Sequence, residues 1–402
     1  MNIFLVGGFL GSGKTTAIAQ AVALLRQKGK MAGVVTNDQG DQLVDTRFLR
    51  GEAIPVREVT GSCFCCNYAE LENSIRSLAD EIRPDVVFAE SVGSCTDLVA
   101  TVVNPLHHYY DGDIRVVLSV FADVRSLALY LFKQEPVFRD NVDYIFEKQL
   151  EEADILIVNK IDLIGDAERV VISQAIEGAY GDKVILYQNS REEEDVRRWI
   201  DAAGSFEPGL SRGKPFTIDY DRYGAGEAEL AWLDGEIGID TSDGTALRIG
   251  IGLVDTIYER ILAAGYPIGH LKFLLSDGLW QQKISFTSMT GGNDGVRSEV
   301  DEMPGGTDEK KKGGIHYSED DLVADETADN ENAPADSDRI AMLINARVQA
   351  MPSTLKGIVS DCILMLEEKH GCRITEGRWD SRAPGYPRPT YRMEADREGR
   401  NC

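Results

Sequence analysis

A glycine-rich turn between a strand and a helix constrains this chain more than any other feature. The apolar run Asn2 to Gly7 leads straight into Gly8-Phe9-Leu10-Gly11-Ser12-Gly13-Lys14-Thr15-Thr16, and a helical pattern follows. This is G-x-x-x-x-G-K-T, the phosphate-binding loop. Gly8, Gly11 and Gly13 let the backbone turn tightly, so that its N–H groups point at phosphate oxygens. The helix that follows adds its positive N-terminal end. Lys14 supplies a charge to the β- and γ-phosphates, and the Thr15 hydroxyl is placed for Mg²⁺, with Ser12 and Thr16 completing the loop.

Around this turn, residues 1 to about 205 alternate short β-branched runs with amphipathic stretches. Strands are expected at 2–7, 31–36, 84–90, 114–121, 154–159 and 183–188. Helices are expected at 14–28, 68–81, 138–152, 167–179 and 192–203. The alternation predicts an α/β class: a P-loop NTPase domain with a mainly parallel sheet and helices on both faces. A Gly/Ser/Pro joint at 208–215 then opens a smaller α+β C-terminal domain. There AELAWLDGEIGI, 269–275, 281–288, 340–350 and 372–376 read as strands, and 246–264 and 353–370 as helices. Residues 299–338 carry 14 Asp or Glu against 3 Lys, the composition of a solvated, disordered insert. The resulting division is 1–207, 208–298 with 339–392, the insert at 299–338, and a tail at 393–402.

The formal net charge of −25 speaks against a nucleic-acid or anionic-membrane partner. No apolar run is long enough to span a bilayer, and residues 1–10 lack a basic region before them, so a cytoplasmic location is expected. Seven cysteines, three of them in Cys63-Phe64-Cys65-Cys66, do not make a disulfide framework.

Four further strings carry chemistry. Asn159-Lys160-Ile161-Asp162 ends a late strand, where Asp162 can accept two N–H bonds from guanine, Asn159 brace the loop and Lys160 pack over the base. GTP is therefore expected over ATP, with Gln188-Asn189-Ser190 nearby. In Asp85 to Gly93, Glu90 ends a hydrophobic strand, where it can reach the magnesium shell or orient water, and Gly93 allows the backbone to sense the γ-phosphate. In Thr36-Asn37-Asp38-Gln39-Gly40-Asp41, with Asp45 beyond, carboxylates in a Gly-containing loop suit a switch that orders around Mg²⁺ or a second metal, or simply a polar surface loop. The thiols of Cys63, Cys65 and Cys66 suit Zn²⁺, Co²⁺, Ni²⁺ or Cu⁺, with a water, a carboxylate or a partner's ligand completing the site. A redox role or plain burial are the other readings. His107-His108 reads as a loop or helix end.

Together these strings resemble the CobW/HypB/UreG class of GTPases, and most closely its CobW-like metallochaperone branch. The resemblance covers residues 1–205 through GFLGSGKTT, NDQGDQLVD, GSCFCC, the Glu90–Gly93 string and NKID. The C-terminal domain and the terminal WDSRAPGYPRPTYR resemble later parts of some members. The resemblance implies a Mg²⁺-dependent GTPase that loads a transition metal, Zn²⁺ or Co²⁺ first among the candidates, and passes it to a metalloprotein client. In it Lys14, Asp38 and Glu90 serve catalysis, Thr15 and Glu90 hold magnesium, and Cys63, Cys65 and Cys66 hold the cargo. The alternative readings are a GTPase that gates corrinoid cofactor loading of a client enzyme and a nucleotide-dependent scaffold without metal transfer, and a homodimer is among the expected partners. The long acidic insert and the scarcity of histidine depart from the family pattern.

Overall fold

The computed structural model describes residues 1–37, 44–134, 137–207, 217–278, 280–289 and 337–393. Asp38, Asp41, the joint at 208–216, nearly all of the acidic insert and the tail after Met393 lie outside the described residues.

The first domain runs β1 (Asn2–Gly8), α1 (Lys14–Gln27), β2 (Ala32–Asn37), α2 (Val44–Gly51), β3 (Val56–Val59), α3 (Tyr68–Ile82), β4 (Val86–Glu90), α4 (Asn104–Tyr109), β5 (Arg115–Asp123), α5 (Val124–Leu131), α6 (Asp140–Glu152), β6 (Ile155–Asn159), α7 (Asp166–Tyr180), β7 (Val184–Gln188) and α8 (Glu193–Ser205). Its seven strands lie in the order β3-β2-β4-β1-β5-β6-β7, and every pairing is parallel. Side-chain alternation along β1 explains the two covered faces. Ile3 and Leu5 pack with Leu71, Ile75 and Leu78 of α3. Phe4 and Val6 pack with Ile18 and Val22 of α1 and Trp199 of α8. The six strands expected in this domain are present to within two residues at each end, and β3 joins them unexpected.

The second domain runs α9 (Tyr220–Glu229), β8 (Ala231–Asp240), α10 (Ala246–Ala263), β9 (Ile268–Ser276), β10 (Gln281–Phe286), β11 (Arg339–Val348), α11 (Pro352–His370) and β12 (Arg373–Arg382). Its sheet, ordered β10-β9-β11-β8-β12, is antiparallel throughout. One face is closed by α10 and α11, whose Leu253, Ile257, Leu355 and Val359 meet Ile237, Ile239 and Phe273. The other face turns to the first domain. Leu274 and Leu343 cover Val44 of α2, and Trp232 is buried within the core around Cys63, Phe64 and Leu98. The expected strand AELAWLDGEIGI starts later than its alternation suggests, because residues up to Glu229 belong to α9. His107 and His108 sit in the last turn of α4. Among the described residues no helix is long and apolar enough to cross a membrane.

Candidate functional site

The C-terminal ends of β1, β2, β4 and β6 open onto one cavity of about 470 Å³, where a parallel sheet places its ligands. Gly11, Gly13, Lys14, Thr15, Thr16, Asn37, Glu90, Gly93, Asn159, Lys160 and Asp162 all line it. Gly8 and Ser12 do not. Gly8 has φ 121°, and a Cβ there would lie 2.1 Å from the Phe121 carbonyl oxygen, so its glycine serves the contact with β5. Ser12 is buried, and its carbonyl accepts a hydrogen bond from Asn159 Nδ2 at 2.7 Å.

At the phosphate end, Lys14 is 6% exposed and donates to the carbonyls of Gly8 (2.7 Å) and Phe9 (3.1 Å). Burial lowers its pKa to about 8, against the pull of Glu90. Thr15 Oγ1 donates to Glu90 Oε1 at 2.9 Å, while the other Glu90 oxygen is buried without a hydrogen-bond partner. Burial, and then Asp45, push the Glu90 carboxyl up. A hydroxyl and an under-satisfied carboxylate side by side beneath the phosphate loop fit the donor set of Mg²⁺, which takes oxygen ligands. A Cβ on Gly93 would meet the Leu10 backbone at 3.0 Å, so the loop after β4 lies directly against the phosphate loop.

At the opposite end, Asn159 Oδ1 accepts from Ser190 N (3.1 Å) and Ser190 Oγ (2.8 Å). With its bond to Ser12, this ties the NKID string, the turn after β7 and the phosphate loop together. Lys160 pairs with Asp123 at 3.1 Å, which also pairs with Arg125 at 2.9 Å. Burial opposes these two cations, yet they hold the Asp123 carboxyl well below its usual range. Asp162 is exposed at the cavity rim.

The second domain supplies a large share of this cavity, which no motif announces. His270, Lys272, Lys283, Phe286, Thr287 and Arg347 line it. Lys272 and Lys283 both reach Asp45 at the start of α2, Lys283 at 2.8 Å. Burial works against the charge on Asp45, but the two ammonium groups hold it well below the usual carboxylate range. The contact is tight: a Cβ on Gly11 would strike Thr287 at 2.2 Å, and one on Gly269 would strike Leu10 at 2.5 Å. Lys272, set between the core residues Leu271 and Phe273 of β9, was the available signal.

The three thiols form a second centre. Cys63 Sγ lies 2.9 Å from Cys65 Sγ and 3.2 Å from Cys66 Sγ, and Cys65 lies 3.8 Å from Cys66. All three sulfurs fall within 4.8 Å of one another, the one such group of candidate metal ligands among the described residues. Cys63 and Cys65 are buried and Cys66 is half-buried. Hydrogen bonds from Cys65, Cys66 and Cys95 depress the Cys63 thiol, and the Cys63 sulfur in turn pushes Cys66 up to about 11. Three sulfurs this close are a soft donor set able to bind a transition ion, with proton release as the ligands engage. Asn37 connects the two centres. It lines the nucleotide cavity, its Nδ2 donates to the carbonyls of Val59 (3.0 Å) and Ser62 (2.8 Å), and its Oδ1 accepts from Phe64 N (2.8 Å).

Residues 2–183 match the family model of the CobW/HypB/UreG nucleotide-binding domain. The first domain belongs to the CobW/HypB/UreG family, in its CobW branch. This CobW-type domain is 33% identical over 184 residues to the zinc chaperone CobW of Sinorhizobium sp, which covers 40% of this chain and 50% of that one. It is 27% identical over 180 residues to the zinc chaperone YjiA of Escherichia coli K12, covering 42% and 52%, and 30% identical over 161 residues to YeiR of the same organism, covering 39% and 46%. The chain thus spans about half the length of the curated relatives it matches. Among solved structures, HypB from Helicobacter pylori in complex with nickel aligns at 16% identity with a TM-score of 0.37, over 53% of this chain and 91% of that one.

Proposed function

We propose that this CobW-type protein is a Mg²⁺-dependent GTPase that carries a transition metal ion at Cys63, Cys65 and Cys66 and yields it to a client protein. The single observation that carries the proposal is Asn37: one buried side chain lines the nucleotide cavity and holds three backbone groups of the thiol loop.

The phosphate loop binds the triphosphate through Lys14 and its backbone N–H groups. Asp162 accepts from the guanine edge, steadied by the Asn159 bridge. Mg²⁺, held by Thr15 and Glu90, supplies charge neutralisation at the phosphates. The second Glu90 oxygen orients the water that attacks the γ-phosphorus, giving GDP and inorganic phosphate. Asn37 ends β2 immediately before Asp38, so a shift of that strand end on loss of the γ-phosphate pulls on Val59, Ser62 and Phe64 and opens the thiol set. The cargo is Zn²⁺ on the strength of the relatives' names, and three thiolates suit it. The client is a protein whose own ligands complete and then take over the ion.

The test is a competitive zinc titration of the protein with GTP, with GDP and without nucleotide, in wild type and in Asn37→Ala. Reciprocal linkage requires GTP affinity to change with zinc by the same factor as zinc affinity changes with GTP. Equal zinc affinity in all three nucleotide states would refute the coupling.

A further inference from the structure

Beyond β12 the chain crosses back over the first domain, and residues 388–390 lie on the thiol loop. The Arg388 N–H donates to Cys66 Sγ at 3.1 Å. Two residues on, the Thr390 N–H donates to the Cys65 carbonyl at 2.8 Å and Thr390 Oγ1 to the Cys66 carbonyl at 3.0 Å. Residues two apart in an extended chain face the same side, so both donors meet the thiol loop. The residues between and before them, Pro387 and Pro389, have no N–H to leave unpaired on the outer side.

The segment is anchored on the C-terminal side of this contact. Tyr391 packs against Tyr68 at 5.3 Å and Tyr109 at 4.7 Å between ring centres. Arg392 pairs at 2.9 Å with Asp97, a fully buried carboxylate that also accepts from Tyr220 at 2.7 Å. Met393 N donates to the Ala100 carbonyl at 2.8 Å, and Asn104 Nδ2 to the Met393 carbonyl at 2.7 Å. Asp97 and Ala100 lie just after the Glu90–Gly93 string, and Tyr220 opens α9. The groups that anchor the segment directly belong to the first domain, with Tyr220 reaching Asp97 from the second, and only residues 388–390 bear on the cysteines.

We infer that residues 388–392 are positioning residues of the metal site: the Arg388 N–H orients the Cys66 sulfur, and the anchored strap holds the cluster against solvent until a client displaces it. This rests on the proposed metal-carrier reading. An amide N–H bonded to a ligating sulfur fixes the direction of its lone pairs, and the loss of such outer contacts typically costs about 10–100-fold in metal affinity.

The test uses the full chain and two pairs of proteins. Arg388→Pro removes the N–H and leaves the anchors, whereas Arg388→Ala keeps the N–H and serves as its control. Zinc is loaded, and its transfer to a chromogenic chelator is timed. The expected result is release at least about tenfold faster from Arg388→Pro, with Arg388→Ala matching wild type; equal release from both variants overturns the inference. The second pair, wild type against Tyr391→Ala, is studied without metal, and iodoacetamide labelling of Cys66 is followed by peptide mass analysis. Severalfold faster labelling of the variant supports the strap, and equal labelling overturns it. Nucleotide affinity equal to wild type certifies the fold of each variant. Because labelling needs no metal, a protein that binds no zinc but still shows faster labelling in Tyr391→Ala would refute the carrier reading and leave the strap in place.

Discussion

Lys14→Met should make the nucleotide-free protein more stable while abolishing its response to GTP. Burial holds the Lys14 pKa at about 8, against 10.5 for a free lysine. At 1.36 kcal/mol for each pH unit of difference, the charged amine is disfavoured in the fold by about 3 kcal/mol at neutral pH. Methionine has similar length and no charge, but it forfeits the bonds to the Gly8 and Phe9 carbonyls, each worth about 1 kcal/mol net. The expected gain is about 1–2 kcal/mol. Because the folded pKa lies below the unfolded one, the wild-type penalty is complete below pH 8 and is relieved as pH rises from about 8 to 10.5. The advantage of the variant should therefore be full at pH 7 and gone by pH 10. Urea midpoints measured at pH 6.5, 7.5 and 9.5 without nucleotide, and melting with and without Mg²⁺ and GTP, give the readout. Ligand should raise the wild-type midpoint by mass action and leave the variant unmoved. A variant less stable than wild type at pH 7, or a difference that does not shrink with pH, would refute the reasoning.

Asn159→Ala strips a buried bridge between Ser12 and Ser190 and should cost roughly 2–4 kcal/mol of stability, seen as a lower urea midpoint together with weaker nucleotide binding; weaker binding at unchanged stability would mean that the side chain serves the base alone. Lys272→Met leaves Lys283 on Asp45 but takes a cation from the cavity, and should weaken GTP more than GDP by roughly tenfold in a calorimetric comparison. Burial, reinforced by Asp97, raises Glu152 to about 8. A raised acid contributes its stability fully below pH 4.5 and loses it as pH climbs through 8, so Glu152→Gln should gain a few kcal/mol at pH 9 and nothing at pH 4 in chemical unfolding.

Local spacing made the phosphate loop, the NKID string and the thiol triad readable, because each is a short run whose chemistry depends on its own neighbours. The parallel strands were readable for a related reason: buried on both faces, Val116-Val117-Leu118 or Ile155 to Val158 leave no polar alternation to misread. Where a signal required two distant parts of the chain, it was lost. Lys272 meets Asp45 from 227 residues away, and Arg388 meets Cys66 from 322 residues away; no period or motif records such a meeting. WDSRAPGYPRPTYR could be likened to the tails of some family members, but nothing in the string tells where its N–H groups fall. The β8 start was misplaced because AEL and AWL alternate alike, and only the packing of α9 on α6 separates them.

The mutual exclusion at Gly11 with Thr287, and at Gly269 with Leu10, makes the two halves of this chain a matched pair. Gly11, at φ 72°, already disfavours a side chain, and Thr287 just past β10 closes the remaining space, while at Gly269 of β9 the obstacle is the Leu10 side chain. A chimera that joins this nucleotide domain to a relative's C-terminal half would inherit a mismatch at the very turn that grips phosphate, so exchange of parts at the interdomain joint should be penalised even where each part folds well.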